Sequence, residues 1–137
     1  MTPEQIRLVR ESFREMVPER EDVAMVFYNR LFAIDPTTRS LFRGIDMAEQ
    51  GRKLMGALAM VVNTVEEPEL LVGPLRALGR RHAEFGVQPY HYASVGQALI
   101  ATLQMFFRDR FTRSLHQAWL AAFALISRTM LTADTAE

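Results

Sequence analysis

Apolar residues recur at three- and four-residue steps through almost the whole chain, and no stretch alternates polar and apolar like a half-buried strand. Side chains at those steps share one face of a 3.6-residue helix, so the pattern predicts helices and excludes a core built on a sheet. Local punctuation divides the pattern. Thr2-Pro3, with Gln5 three residues after Thr2, reads as an N-cap, a first-turn proline and a capping box. Ile6, Val9, Phe13, Met16 and Val17 mark the first apolar face, which Pro18 closes. A second helix is predicted from about Glu19 to Ile34, with Ala24, Phe27, Tyr28, Leu31 and Ile34 on its face. Asp35-Pro36 ends it, because the residue before a proline avoids helical dihedrals. Pro36 can open a short helix that delivers Leu41 and Phe42 before Gly44.

Asp46 with Glu49 is a second capping-box pattern. It predicts a helix to about Val65 whose face carries Gln50, Leu54, Leu58, Val61 and Val65. Glu66-Glu67-Pro68 restarts the chain, and Gly73-Pro74 is expected to interrupt the next segment. A helix then continues through Leu75, Leu78 and His82 to Gly86. Gln88-Pro89 opens a long helix to about Phe107, and Thr112 opens the last, through Leu115, Trp119, Phe123, Ile126 and Met130. The expected fold is all-α, with six to seven helices and short connections. At 137 residues, one domain over 1–137 is expected.

Composition narrows the function classes. Formal net charge is zero and no block is strongly basic, which argues against nucleic acid as a partner. The chain has no cysteine, so disulfides, thiolate catalysis and zinc–thiolate sites are excluded. The opening MTPEQIRLVRE lacks the apolar core of a secretion signal. No apolar run approaches the roughly 18 residues needed to span a bilayer. A cytoplasmic location without a membrane partner is the expectation.

The chemistry then turns on His82, His91 and His116. His82 shares a helical face with Leu75, Leu78 and Phe85, and Arg80-Arg81 flank it. A face that turns so quickly from apolar to cationic suits a flat cofactor with an apolar body and anionic groups. His91 and His116 fall in opening turns of helices and read as solvated or cap-like. Spacing alone leaves two readings of His82 open, a satisfied core or surface residue and a metal ligand. No HxxxH, HExxH or cysteine pair supplies a second ligand, which argues against zinc. Haem needs only one axial histidine. Taken singly, Tyr28 and Phe42 read as core residues, Gln50 as a surface residue and Tyr92 as the anchor of a helix start. Met25, Met47, Met55, Met60, Met105 and Met130 read as helix packing, not as axial ligands.

Three segments together carry a family resemblance. FYNRLFAIDPTTRSLF (27–42) resembles the second and third helices of bacterial globins, including flavohaemoglobin globin domains. LGRRHAEFGVQPYHYASVGQALIATL (78–103) resembles their proximal-histidine segment and the helix after it. WLAAFALI (119–126) is similar to their last helix. The resemblance implies a globin fold around a haem b pocket, with His82 as the proximal iron ligand. It also implies Tyr28 and Gln50 as distal hydrogen-bond donors, with Leu54 one turn beyond Gln50. Phe42 resembles the phenylalanine that lies flat on the haem, and Tyr92 the proximal-side tyrosine. Leu78 and Val95 are expected against the cofactor, and Arg81 and Lys53 are candidates for its propionates. Gly51 matches a position where a small residue lets the helix of Tyr28 and the helix of Gln50 cross closely.

These roles make physical sense. Dioxygen on ferrous iron gains partial negative charge, so a phenol O–H and an amide N–H aimed at it attract it. The second ring N–H of His82 is expected to reach a backbone carbonyl near Leu78. The resemblance also has departures. The 137 residues cannot hold flavin- and nicotinamide-binding domains, so steady redox turnover is expected to draw on an external reductase. The glutamate that flavohaemoglobins carry late in the last helix falls at about Ala136, beside Glu137. No histidine matches the distal position. Dioxygen binding, storage or scavenging is the leading expectation, with carbon monoxide and nitric oxide as further ligands. Nitric oxide dioxygenation with a separate reductase and a haem-free, globin-like sensor domain are the alternatives.

Overall fold

The structure, a computed structural model, describes residues 1–132. Its elements are α1 (Pro3–Met16), α2 (Arg20–Ile34), α3 (Met47–Thr64), α4 (Pro68–Glu84), α5 (Pro89–Phe107) and α6 (Arg113–Leu131). Short 3-10 segments at Val17–Glu19, Pro36–Phe42 and Arg108–Arg110 complete the order, and there is no strand among the described residues. The position near Ala136 and Glu137 lies outside the described residues.

Caps explain most boundaries. Thr2 and Gln5 form a full capping box, each side chain bonding the other's backbone N–H. Asp46 accepts from the backbone N–H of Ala48 and Glu49 and alone makes the side-chain cap of α3. Thr112 accepts from the N–H of Leu115 to open α6. The expected break at Gly73-Pro74 does not occur, and α4 runs unbroken with Pro74 inside it. Gly73 has no Cβ to meet the proline ring, which removes much of the usual penalty on a helical residue before proline. Leu70, whose carbonyl loses its helical donor at Pro74, is exposed, so water can replace that bond.

The main packing pairs are α2 with α5, α1 with α6, α4 with α6, and α2 with α3. Trp119 is core as expected, 1% exposed, and its indole N–H donates to Ser12 Oγ at 2.9 Å. That bond ties α6 to α1 and satisfies a buried donor. The methionine set divides: Met55 and Met130 are buried, whereas Met25 and Met105 stand at the surface. No helix among the described residues is long and apolar enough to cross a membrane.

Candidate functional site

The buried residues form two clusters. The larger draws on α1, α2, α3, α5 and α6; the smaller consists of Val61, Leu71, Leu75 and Met130. Half-buried apolar residues flank both: Phe42, Leu54, Leu58, Val95 and Phe123 against the first, Leu78, Tyr92 and Ile126 against the second. On α3 the buried residues are Gly51, Met55, Val61 and Val62, so the predicted face through Gln50, Leu54 and Leu58 is the half-buried one. A main core with a smaller satellite cluster is the usual arrangement in a domain of this size. These partly buried apolar side chains come from five elements: the Pro36–Phe42 segment, α3, α4, α5 and α6.

Tyr28 is buried on α2, and its phenol oxygen accepts a hydrogen bond from Gln50 Nε2 at 3.1 Å. The phenol ring meets Phe42 edge-on at 5.3 Å and Phe27 at 4.9 Å. Phe32 packs on Phe42 in turn, at 5.6 Å. This aromatic set fixes where the hydroxyl stands. Burial pushes the phenol above its ordinary value near 10, partly offset by the bond from Gln50. The group is therefore a neutral donor at physiological pH. The short segment bearing Phe42 is held by Asp35, which accepts from Thr37 N–H and from Ser94 Oγ on α5 at 2.8 Å. Ser94 was not singled out by the sequence, because nothing local marks a bond between residues 59 apart.

His82 is half-buried near the end of α4, with Nδ1 2.8 Å from the Leu78 carbonyl. That contact makes Nδ1 the protonated nitrogen and leaves the Nε2 lone pair for a metal. Burial holds the imidazole below its ordinary value; the Leu78 carbonyl opposes this and the Arg81 charge adds to it. The ring is thus kept neutral, as a ligand must be. One expected neighbour is absent. Phe85 is 75% exposed, because α4 ends at Glu84 and Gly86 takes φ +93, so a three-residue step from His82 no longer means the same face. Lys53 and Arg81 are exposed and make no ion pair among the described residues.

His91 also departs from expectation. It is 4% exposed, not solvated, and its Nδ1 accepts the Gln88 backbone N–H at 2.8 Å in a capping box that opens α5. His116 is half-buried beside the ring of Phe111. A groove of about 530 Å³ runs along the α3 face of Gly51, Met55 and Ala59, and none of Tyr28, Gln50, Leu54 and His82 lines it.

Two close helix crossings involve the helices that carry these residues. A Cβ on Gly51 would lie 2.9 Å from the Ala24 Cβ, so α2 and α3 cross closely there, as expected. A Cβ on Gly79 would lie 2.2 Å from the Met130 carbonyl oxygen, where α4 meets α6. Gly79 was missed, since a glycine inside a helical pattern does not reveal which neighbour it admits. The arrangement has one neutral imidazole, one neutral phenol and partly buried apolar side chains, and Lys53 and Arg81, exposed on α3 and α4, make no ion pair among the described residues. It fits a flat apolar group carrying one metal ion and anionic substituents.

A globin family model matches residues 26–130. The chain is 25% identical over 134 residues to a flavohemoprotein of Vibrio cholerae, covering 96% of this chain and 34% of the relative. It is 27% identical over 136 residues to a neuroglobin of Tetraodon nigroviridis, covering 90% of this chain and 86% of that one. A flavohemoprotein of Deinococcus radiodurans is 26% identical over 133 residues, which is 96% of this chain and 33% of the relative. The chain thus spans about a third of the flavohemoproteins it matches. The match runs from α2, which carries Tyr28, to the Met130 carbonyl that meets α4, and on it this chain belongs to the globin family.

Proposed function

We propose that this globin binds haem b through His82 Nε2 and holds a diatomic gas, dioxygen first among them, against Tyr28 and Gln50. The observation that carries the reading is the 3.1 Å bond in which Gln50 donates to the phenol oxygen. With its oxygen already an acceptor, the phenol has its own O–H left for a ligand with partial negative charge. Haem, when bound, supplies an iron that coordinates the gas reversibly. The remaining work belongs to the chain. Leu78 orients the imidazole, Phe42, Leu54, Val95 and Tyr92 give the apolar body its walls, and Arg81 and Lys53 meet the propionates. The domain proposed to do this is the whole of 1–137.

The test is reconstitution of the purified chain with haem, followed through ferric, ferrous and carbon monoxide spectra. A Soret band, with a six-coordinate carbon monoxide form, is the expected outcome. Its absence would leave the haem-free sensor reading instead. A second reading follows from the flavohemoproteins, whose name joins a flavin to the haem. A separate flavin-bearing reductase would then let the globin convert nitric oxide repeatedly. Sustained nitric oxide consumption with a reductase present supports that reading, and a single stoichiometric reaction confines the chain to binding.

A further inference from the structure

We infer that Gly79 is a positioning residue for His82, setting how far the imidazole reaches by letting α4 rest on the backbone of α6. The inference rests on the haem reading above. Gly79 is buried one turn before His82, and its missing Cβ would stand 2.2, 2.8 and 2.9 Å from the Met130 oxygen, carbonyl carbon and Cα. All three are backbone atoms, so no rotamer change relieves the contact. Real Cβ atoms essentially never come within 3.0 Å of such a neighbour, so a methyl at 79 must open the crossing by about 0.8 Å (3.0 less 2.2). α4 packs chiefly on α6 and less on α3, so this crossing is its main support. Leu75, one turn earlier, and Met130 share the smaller buried cluster, and the Leu78 carbonyl grips His82 Nδ1 from the adjacent residue. Metal–ligand distances are held to about 0.2 Å. A displacement several times larger, if α4 takes it up, would strain the approach of His82 Nε2 to a bound iron or its bond to Leu78.

Other glycines behave differently. Gly56, on α3, has nothing within 4 Å of its Cβ position, and its replacement serves as the control. The test compares Gly79→Ala and Gly56→Ala with the parent protein, all reconstituted with haem. Three readouts are taken: haem affinity, the iron–imidazole stretching frequency of the deoxy ferrous form, and thermal unfolding of the haem-free chains. For Gly79→Ala the expected result is a haem affinity lower by about tenfold or more, the range for lost support of a metal ligand, with a shifted stretching frequency. Gly56→Ala should leave both unchanged. A merely structural role for Gly79 would lower the unfolding temperature and leave the frequency in place. Hydrogen exchange on the parent protein needs no variant. Haem addition should protect the amides of the last turn of α6 together with those around His82. A folded Gly79→Ala chain with parental affinity and frequency, or an α6 end indifferent to haem, overturns the inference while the haem reading stands. A parent protein with no Soret band overturns both.

Discussion

A methyl group on Gly51 would lie 2.9 Å from another methyl, that of Ala24, whereas one on Gly79 would lie 2.2 Å from a backbone carbonyl oxygen. The first crossing joins the helices that carry Tyr28 and Gln50, and the second lies one turn before His82 on α4. They do not tolerate change equally. At the first, the Ala24 methyl is as rigid as its backbone, but the contact falls short of 3.0 Å by only about 0.1 Å (3.0 less 2.9), so a small shift of one helix suffices. At the second, a side chain would have to enter space held by the peptide backbone of the last turn of α6, and the overlap is far deeper. The difference suits the proposed tasks. A hydrogen bond to a gas ligand survives small adjustments in angle and distance, and a coordinate bond does not.

The comparison can be broken most directly at His82. His82→Ala should lower haem affinity by more than about a hundredfold, read by titration with hemin, since losing the ligand itself exceeds losing its support. Retention of tight binding would mean that the α4–α6 side is not the tether. Tyr28→Phe probes the other side. Haem should stay bound, and dioxygen should dissociate about tenfold faster in stopped-flow exchange, the worth of one hydrogen bond in a dry pocket. An unchanged off-rate would remove the distal donor. Gly51→Ala should cost about 1 kcal/mol in urea unfolding, overpacking partly offset by better helix propensity, with the Soret band unmoved. If it cost as much as Gly79→Ala, the distinction between methyl and backbone contacts would fail. Gly56→Ala, with open space around it, should instead gain up to about 1 kcal/mol.

The smallest effect concerns pH. The folded-state value of Tyr28 is raised above its ordinary value near 10, so the folded chain keeps its proton after the unfolded chain has lost it. Stability should therefore be level below pH 10 and fall as pH rises beyond it. In Tyr28→Phe that part of the fall should vanish, as chemical denaturation between pH 9 and 11 would reveal.

Legibility in the sequence follows the range of the interaction. Thr2 with Gln5, Asp46 and Thr112 mark helix starts correctly because a cap is settled within four residues. The Leu78 carbonyl expected for His82 is a one-turn relation and is found. Pro74 misled because the strength of a proline break depends on its neighbour and on solvent access to the orphaned carbonyl. Phe85 misled because the helix ends one residue before it. For His91, expected solvated or cap-like, the cap is found because it is a three-residue relation, whereas the residue is buried and not solvated.

Sequence alone therefore determined the helices and most of their apolar faces, while the residues proposed to meet a cofactor came from the family resemblance and not from spacing. Helices and apolar faces arise from steric and hydrogen-bonding preferences within one or two turns. Tertiary structure decided how closely the helices approach. The bond from Gln50 to Tyr28, the latch between Ser94 and Asp35, and the contact of Gly79 with Met130 all join residues far apart in the chain. No local preference encodes such distances. They emerge only when every helix has packed, because each crossing is a compromise among all the side chains that fill the space around it.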